Sequence, residues 1–138
     1  MKRLLGVIVL ALLLAQPGIS DAKRSNKKAQ LVFDDYNNNI RWGEWGKAWE
    51  YVDPKVRAEH PLTELELKRF EMIRVTEVTE KASQAGADES MDKLVVIQLV
   101  SKFTQIERTI TDHQHWRWDA ESKRYWLVSG LPDITPDD

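Results

Sequence analysis

The chain has 138 residues, of which 42% are apolar; this is one domain with enough apolar surface for a core and too much for a disordered segment. Its 20 basic and 22 acidic residues leave a net charge of −2, so no global field points to nucleic acid. The lack of cysteine excludes a disulfide scaffold, a zinc–thiolate site, a thiol nucleophile and a lipid-modified N-terminal cysteine.

The N-terminus has the three-part layout of an export signal. Lys2 and Arg3 precede an apolar run from Leu4 to Ala15, and Gln16-Pro17-Gly18 breaks it. Ser20 and Ala22 are small residues suited to a signal peptidase, with cleavage expected after Ala22 or, second, after Ser20. The run falls short of the roughly 20 residues that a bilayer span needs, so no span is expected after cleavage. Lys23, Arg24, Lys27 and Lys28 follow it, and cations favour the cytoplasmic side, so an uncleaved inner-membrane anchor is the alternative. The expected organisation is a signal peptide at 1–22, a basic flexible arm at 23–28, one domain at 29–131 and an acidic loose tail at 132–138. The expected location is the periplasm.

Along the domain, Val32, Phe33, Tyr36 and Ile40 recur at helical spacing, and Asn37-Asn38-Asn39 predicts a ragged helix end. Trp45, Ala48, Trp49 and Val52 give a second, short amphipathic helix, which Asp53-Pro54 stops. Thr63-Glu64-Leu65-Glu66 marks another helix start. After Phe70 the period changes to two. A strand starts near Ile73, Ser83–Ser90 reads as a loop, and Leu94–Val100 is apolar on both parities except at Gln98. In Ile106–Trp118, Ile106, Arg108, Ile110, Asp112, Gln114, Trp116 and Trp118 share one face, and Glu107 to Arg117 share the other. A reversal is needed at Ser101–Gln105, although Gly, Pro and Asn are missing there. A turn at Ala120–Lys123 would pair Trp118 with Tyr125, Trp116 with Leu127, and Arg117 with Trp126, the last as a cation–π contact on the outer face.

Two to three helices followed by about four antiparallel strands define the α+β class, with helices on one face of a curved sheet. The chain runs from a Tyr-bearing first helix through Gly43-Glu44-Trp45-Gly46-Lys47-Ala48-Trp49 and Asp53-Pro54. A long strand run follows, in which Trp116-Arg117-Trp118-Asp119 turns into Tyr125-Trp126-Leu127-Val128. Over most of residues 29–131 this resembles the NTF2-like (SnoaL-like, cystatin-like) superfamily. The resemblance implies an α+β cone with a pocket between sheet and helices. It implies no particular reaction, because that superfamily hosts enzymes, immunity proteins and non-catalytic binding domains.

The candidate ligand-binding residues are Tyr36, Trp42, Trp45, Arg108, Asp112, Gln114 and Trp116. The six tryptophans serve either as core packing or, through Trp42, Trp45 and Trp116, as an aromatic cleft. Arg108 and Asp112 lie about 13 Å apart on the inward face, too far to pair directly, and form either ion pairs at an open end or a polar pocket floor. An acid–base dyad would have to join Asp112 to His60, since His113 points the other way. His113 and His115 share the outer face and lack a third metal ligand on their strand. Phosphate loops and hydrolase or metalloprotease motifs are missing, so neither cofactor nor metal is expected. The leading expectation is a non-enzymatic ligand-binding or assembly domain of the bacterial envelope, whose partner is a small molecule or an envelope protein. The alternatives are a hydratase or isomerase using Asp112 with His60, and an immunity or accessory module. A weak homodimer through the outer sheet face is also expected, because Leu94, Val96 and Val100 add an apolar set there.

Overall fold

The computed structural model describes residues 17–136, with side chains from Lys27 onward. The export segment lies outside the described residues as far as Gln16. Helix α1 (Pro17–Arg41) is the first element of the described residues and includes Pro17 and Gly18, which read as breakers. It takes in residues 23–28, expected as an arm, and passes through Asn37–Asn39 without fraying. Side-chain contacts offset the poor helix propensity of those asparagines. Asn37 Oδ1 accepts from Gln114 Nε2 at 3.0 Å, and Asn38 Oδ1 accepts from Trp42 Nε1 at 3.1 Å.

Three short helices follow: α2 (Trp45–Trp49), α3 (Pro54–Glu59) and α4 (Glu64–Glu71). The described residues therefore hold four α-helices where two to three were expected. The extra one is α3. Asp53-Pro54 ends one helix and starts the next, with the proline in the first turn and Asp53 Oδ1 accepting from Lys55 N at 2.9 Å. At α4 the expected Thr63 cap is present, its Oγ1 accepting from Glu66 N at 3.2 Å.

The strands β1 (Ile73–Ala85), β2 (Met91–Ser101), β3 (Glu107–Asp119) and β4 (Arg124–Leu127) form one open antiparallel sheet in chain order. β1 pairs with β2 through two register shifts, at Val75/Glu77 and Glu80/Ala82. The first returns Val78 to the core side, opposite Ile97. β3 alternates as its sequence predicts: Asp112, Gln114 and Trp116 are buried, and Thr111, His113, His115 and Arg117 are exposed. Its register with β4 is also as expected, Trp116 facing Leu127, Arg117 facing Trp126 and Trp118 facing Tyr125. The reversal at Ser101–Gln105 works without glycine. Ser101 Oγ accepts from the Phe103 and Thr104 amides at 3.3 Å each, and Gln105 takes the left-handed conformation at φ 59°.

The core lies between α1 and the sheet. Phe33, Tyr36 and Ile40 meet Val95, Ile97, Leu99 and Trp116, and Tyr36 stands edge-on to Trp116 with centroids 5.3 Å apart. The backbone of Tyr51–Asp53 covers the β4 edge: Leu127 N donates to Tyr51 O and Asp53 N to Leu127 O, both at 2.9 Å. At the opposite edge, Arg41 Nη1 donates to Val75 O at 2.9 Å.

Within the segment expected as a loose tail, the structure describes residues 132–136. Pro132 and Ile134 are buried, and Arg108 Nη2 donates to the Ile134 carbonyl at 2.7 Å. Two apolar side chains and one guanidinium hold the segment against the open end of the sheet. Ile134→Ala is therefore expected to cost about 2 kcal/mol, the low end for such a truncation because a terminal segment can settle into the space. Urea unfolding measures this cost, and limited proteolysis should show earlier cutting after Leu131. Among the described residues no helix is long and apolar enough to cross a membrane.

Candidate functional site

The structure brings four of the seven candidate residues together beneath α1. Trp116 Nε1 donates to Gln114 Oε1 at 3.1 Å, and Gln114 Nε2 donates to Asp112 Oδ2 at 3.2 Å as well as to Asn37. The Tyr36 hydroxyl is fully buried and makes no hydrogen bond among the described residues. Burial raises its pKa well above the ordinary value, and the Asp112 charge adds to the rise. Burial also pushes the Asp112 carboxyl up to about 6, against the Gln114 hydrogen bond and the nearby His113, which lower it. This is a sealed polar network within a packed core, and no described cleft has Asp112 on its wall.

The other three candidates lie elsewhere. Trp42 is 66% exposed, with the Arg41 guanidinium 4.3 Å above its ring. Trp45 is buried in a stack on Phe70, centroids 4.2 Å apart. Arg108 is bound to the C-terminal segment and does not join Asp112. The aromatic cleft of Trp42, Trp45 and Trp116 is thus not assembled. Trp49, Trp118 and Trp126 are half-buried, so Trp42 is the one exposed ring among the six.

A broad cleft of about 770 Å³ opens between α3, α4 and the segment Val128–Thr135, with Trp49, Leu62, Phe70 and Leu131 on its apolar side. His60 lies on its rim and is exposed. Asp112 is not on this wall, so the two residues of the acid–base alternative sit in separate environments.

Three features escaped the sequence reading. Lys93 is buried on the core side of β2, pairs with Glu80, donates to Ser83 Oγ at 3.3 Å and stands 4.4 Å from the Phe33 ring centroid. Its parity with Val95, Ile97 and Leu99 was the available signal. His115 Nδ1 meets Asp92 Oδ1 at 2.6 Å, a carboxylate supplied by the neighbouring strand. Among the described residues no three His, Asp or Glu side chains are grouped to hold a metal. Arg117 does not stack on Trp126. Its Nε and Nη2 donate to Asp53 Oδ2 at 2.9 and 2.7 Å, and Arg124 takes the stacking place with its guanidinium carbon 3.6 Å from the ring centroid.

No family model, curated protein or solved structure matches this chain.

Proposed function

We propose that the protein is a non-enzymatic ligand-binding or assembly domain of the bacterial envelope, built as an NTF2-like cone. The sealing of Asp112 carries this reading. A general base must come within hydrogen-bond reach of a substrate proton, and the one inward carboxylate on β3 is 8% exposed and held by Gln114. Asn37, Asp112, Gln114 and Trp116 bond to one another in this interior, and that network rigidifies the fold. Recognition therefore falls to surface clefts and to the sheet face. The order of helices followed by a four-stranded antiparallel sheet supports the cone, and the apolar N-terminal run supports export. On the outer face, Leu94 and Val96 are only half-buried, which supports self-association there.

Native mass spectrometry of the protein purified gently from its own envelope tests the reading. The expected spectrum shows a retained small molecule, a partner chain or a second copy. A bare monomer at every stage of purification would overturn it. So would a turnover assay in which Asp112→Asn and His60→Ala each lost orders of magnitude in rate with folding intact.

A further inference from the structure

A second cleft, of about 330 Å³, lies between the Lys28–Val32 stretch of α1 and the β3–β4 turn. Val32, Trp118 and Tyr125 make its apolar wall, and Lys28, Lys123 and Arg124 are the charged residues that line it. All three are cations, and among the described residues no acidic side chain lines the cleft. Trp118 and Tyr125 are edge-on to each other with centroids 5.0 Å apart, which fixes the wall.

Arg124 gives an independent reason to expect an anion. It is half-buried, and its guanidinium lies against the Trp126 ring. Its hydrogen bond is Nε to the Tyr125 carbonyl at 3.3 Å, and among the described residues no carboxylate pairs with it. Glu50 shares an adjoining hollow with Arg124 but forms no ion pair with it. Burial lowers the Arg124 pKa, and the Arg57 charge adds to that lowering although Tyr51 opposes it. A half-buried cation without a counter-charge is costly, and a planar guanidinium held by stacking presents a preorganised donor fork to a carboxylate or phosphate.

We propose that this cleft binds one anionic amphiphile, with its carboxylate or phosphate head on Arg124 between Lys28 and Lys123 and its apolar body against Trp118, Tyr125 and Val32. The ligand is taken as a single molecule, because a cleft of this size with an apolar wall and a few convergent polar groups suits a small ligand. The inference rests on the binding-domain reading and assigns it a ligand class.

Calorimetric titration of the full chain with monomeric dodecyl phosphate, dodecyl maltoside and inorganic phosphate tests the assignment. One-to-one binding of dodecyl phosphate is expected. The Lys28→Gln/Lys123→Gln variant should bind it about tenfold more weakly, and Arg124→Gln more weakly still. Both lysines are exposed, so the double variant keeps its fold even if Arg124→Gln does not. The variants leave the apolar N-terminal run unchanged, so any uptake by that run is common to all. Equal binding of the maltoside, or unchanged affinity in the double variant, would overturn the proposal. Dodecyl phosphate should also bind in the absence of any bilayer. Capture on phosphatidylglycerol vesicles without binding of the monomeric ligand would assign these cations to a membrane surface and overturn it as well. If native spectra show a small-molecule ligand retained at undiminished occupancy on the Arg124→Gln chain, the binding-domain reading stands and this cleft assignment falls.

Discussion

Asp112→Asn is expected to stabilise the domain by roughly 3 kcal/mol near pH 7.5 and to change its stability little near pH 4. The native carboxyl titrates at about 6 against an ordinary value of 3.8, with burial as the main cause. The native state therefore holds the proton more tightly than the unfolded chain does. Unfolding free energy falls as pH rises from about 4 to about 6 and is flat above that. At neutral pH the fold keeps an ionised carboxylate in a core that would favour its neutral form. Asparagine retains an oxygen to accept from Gln114 and removes the charge. Urea unfolding of both chains at the two pH values measures the difference. Equal destabilisation of the variant at both would show that the ionised group is held by contacts worth more than its burial costs.

Asp53→Ala is expected to destabilise the domain by about 2–3 kcal/mol at neutral pH. Loss of the α3 cap contributes about 1 kcal/mol. The rest comes from the two-bond contact with Arg117, discounted because the Arg117 side chain is 47% exposed and regains water when released. Asp53→Asn keeps the cap acceptor and should recover about half of the loss. Burial raises the Asp53 pKa, but hydrogen bonds from Arg117 and Lys55 outweigh it and hold the carboxyl below its ordinary value of 3.8. Its contribution is thus present above pH 4 and lost as pH falls below. The Asp112 effect operates in the window above, so a pH series separates the two. Chemical denaturation of the three chains at pH 7 and pH 3 checks both the size and the direction.

The parts of the fold legible in sequence are those governed by a local period. The alternation from Arg108 to Trp118 identifies the inward face, and with the turn at Ala120–Lys123 it also predicts the pairing with β4. Asp53-Pro54 is ambiguous in sequence, because one dipeptide satisfies both the end of a helix and the start of another. The C-terminal segment is harder, since Ile134 is a lone apolar residue among aspartates and its partner Arg108 is 26 residues away. The candidate site was half legible. Tyr36, Asp112, Gln114 and Trp116 share inward positions, and they meet. Trp42 follows the buried Ile40 by two residues, about 200° around the helix, so its exposure was readable from spacing. The stacking of Trp45 on Phe70 was not, because it joins two helices whose relative placement no local pattern encodes. The cationic cleft was illegible for the same reason: Lys28 and Lys123 are distant in sequence and meet only after α1 docks on the sheet.

The two register shifts in β1 bear on how copies of this chain avoid one another. The β4 edge is closed by its own chain, so β1 is the rim left for strand addition. Each shift turns a backbone group out of line, and Arg41 occupies the Val75 carbonyl beside the first. An incoming strand would find no long straight row of donors and acceptors, and it would meet Glu77 and Lys81 as exposed charges. The fold thereby discourages fibre-like stacking through its sheet edge, and any pairing of copies is directed to the face, where side chains rather than backbone decide the partner.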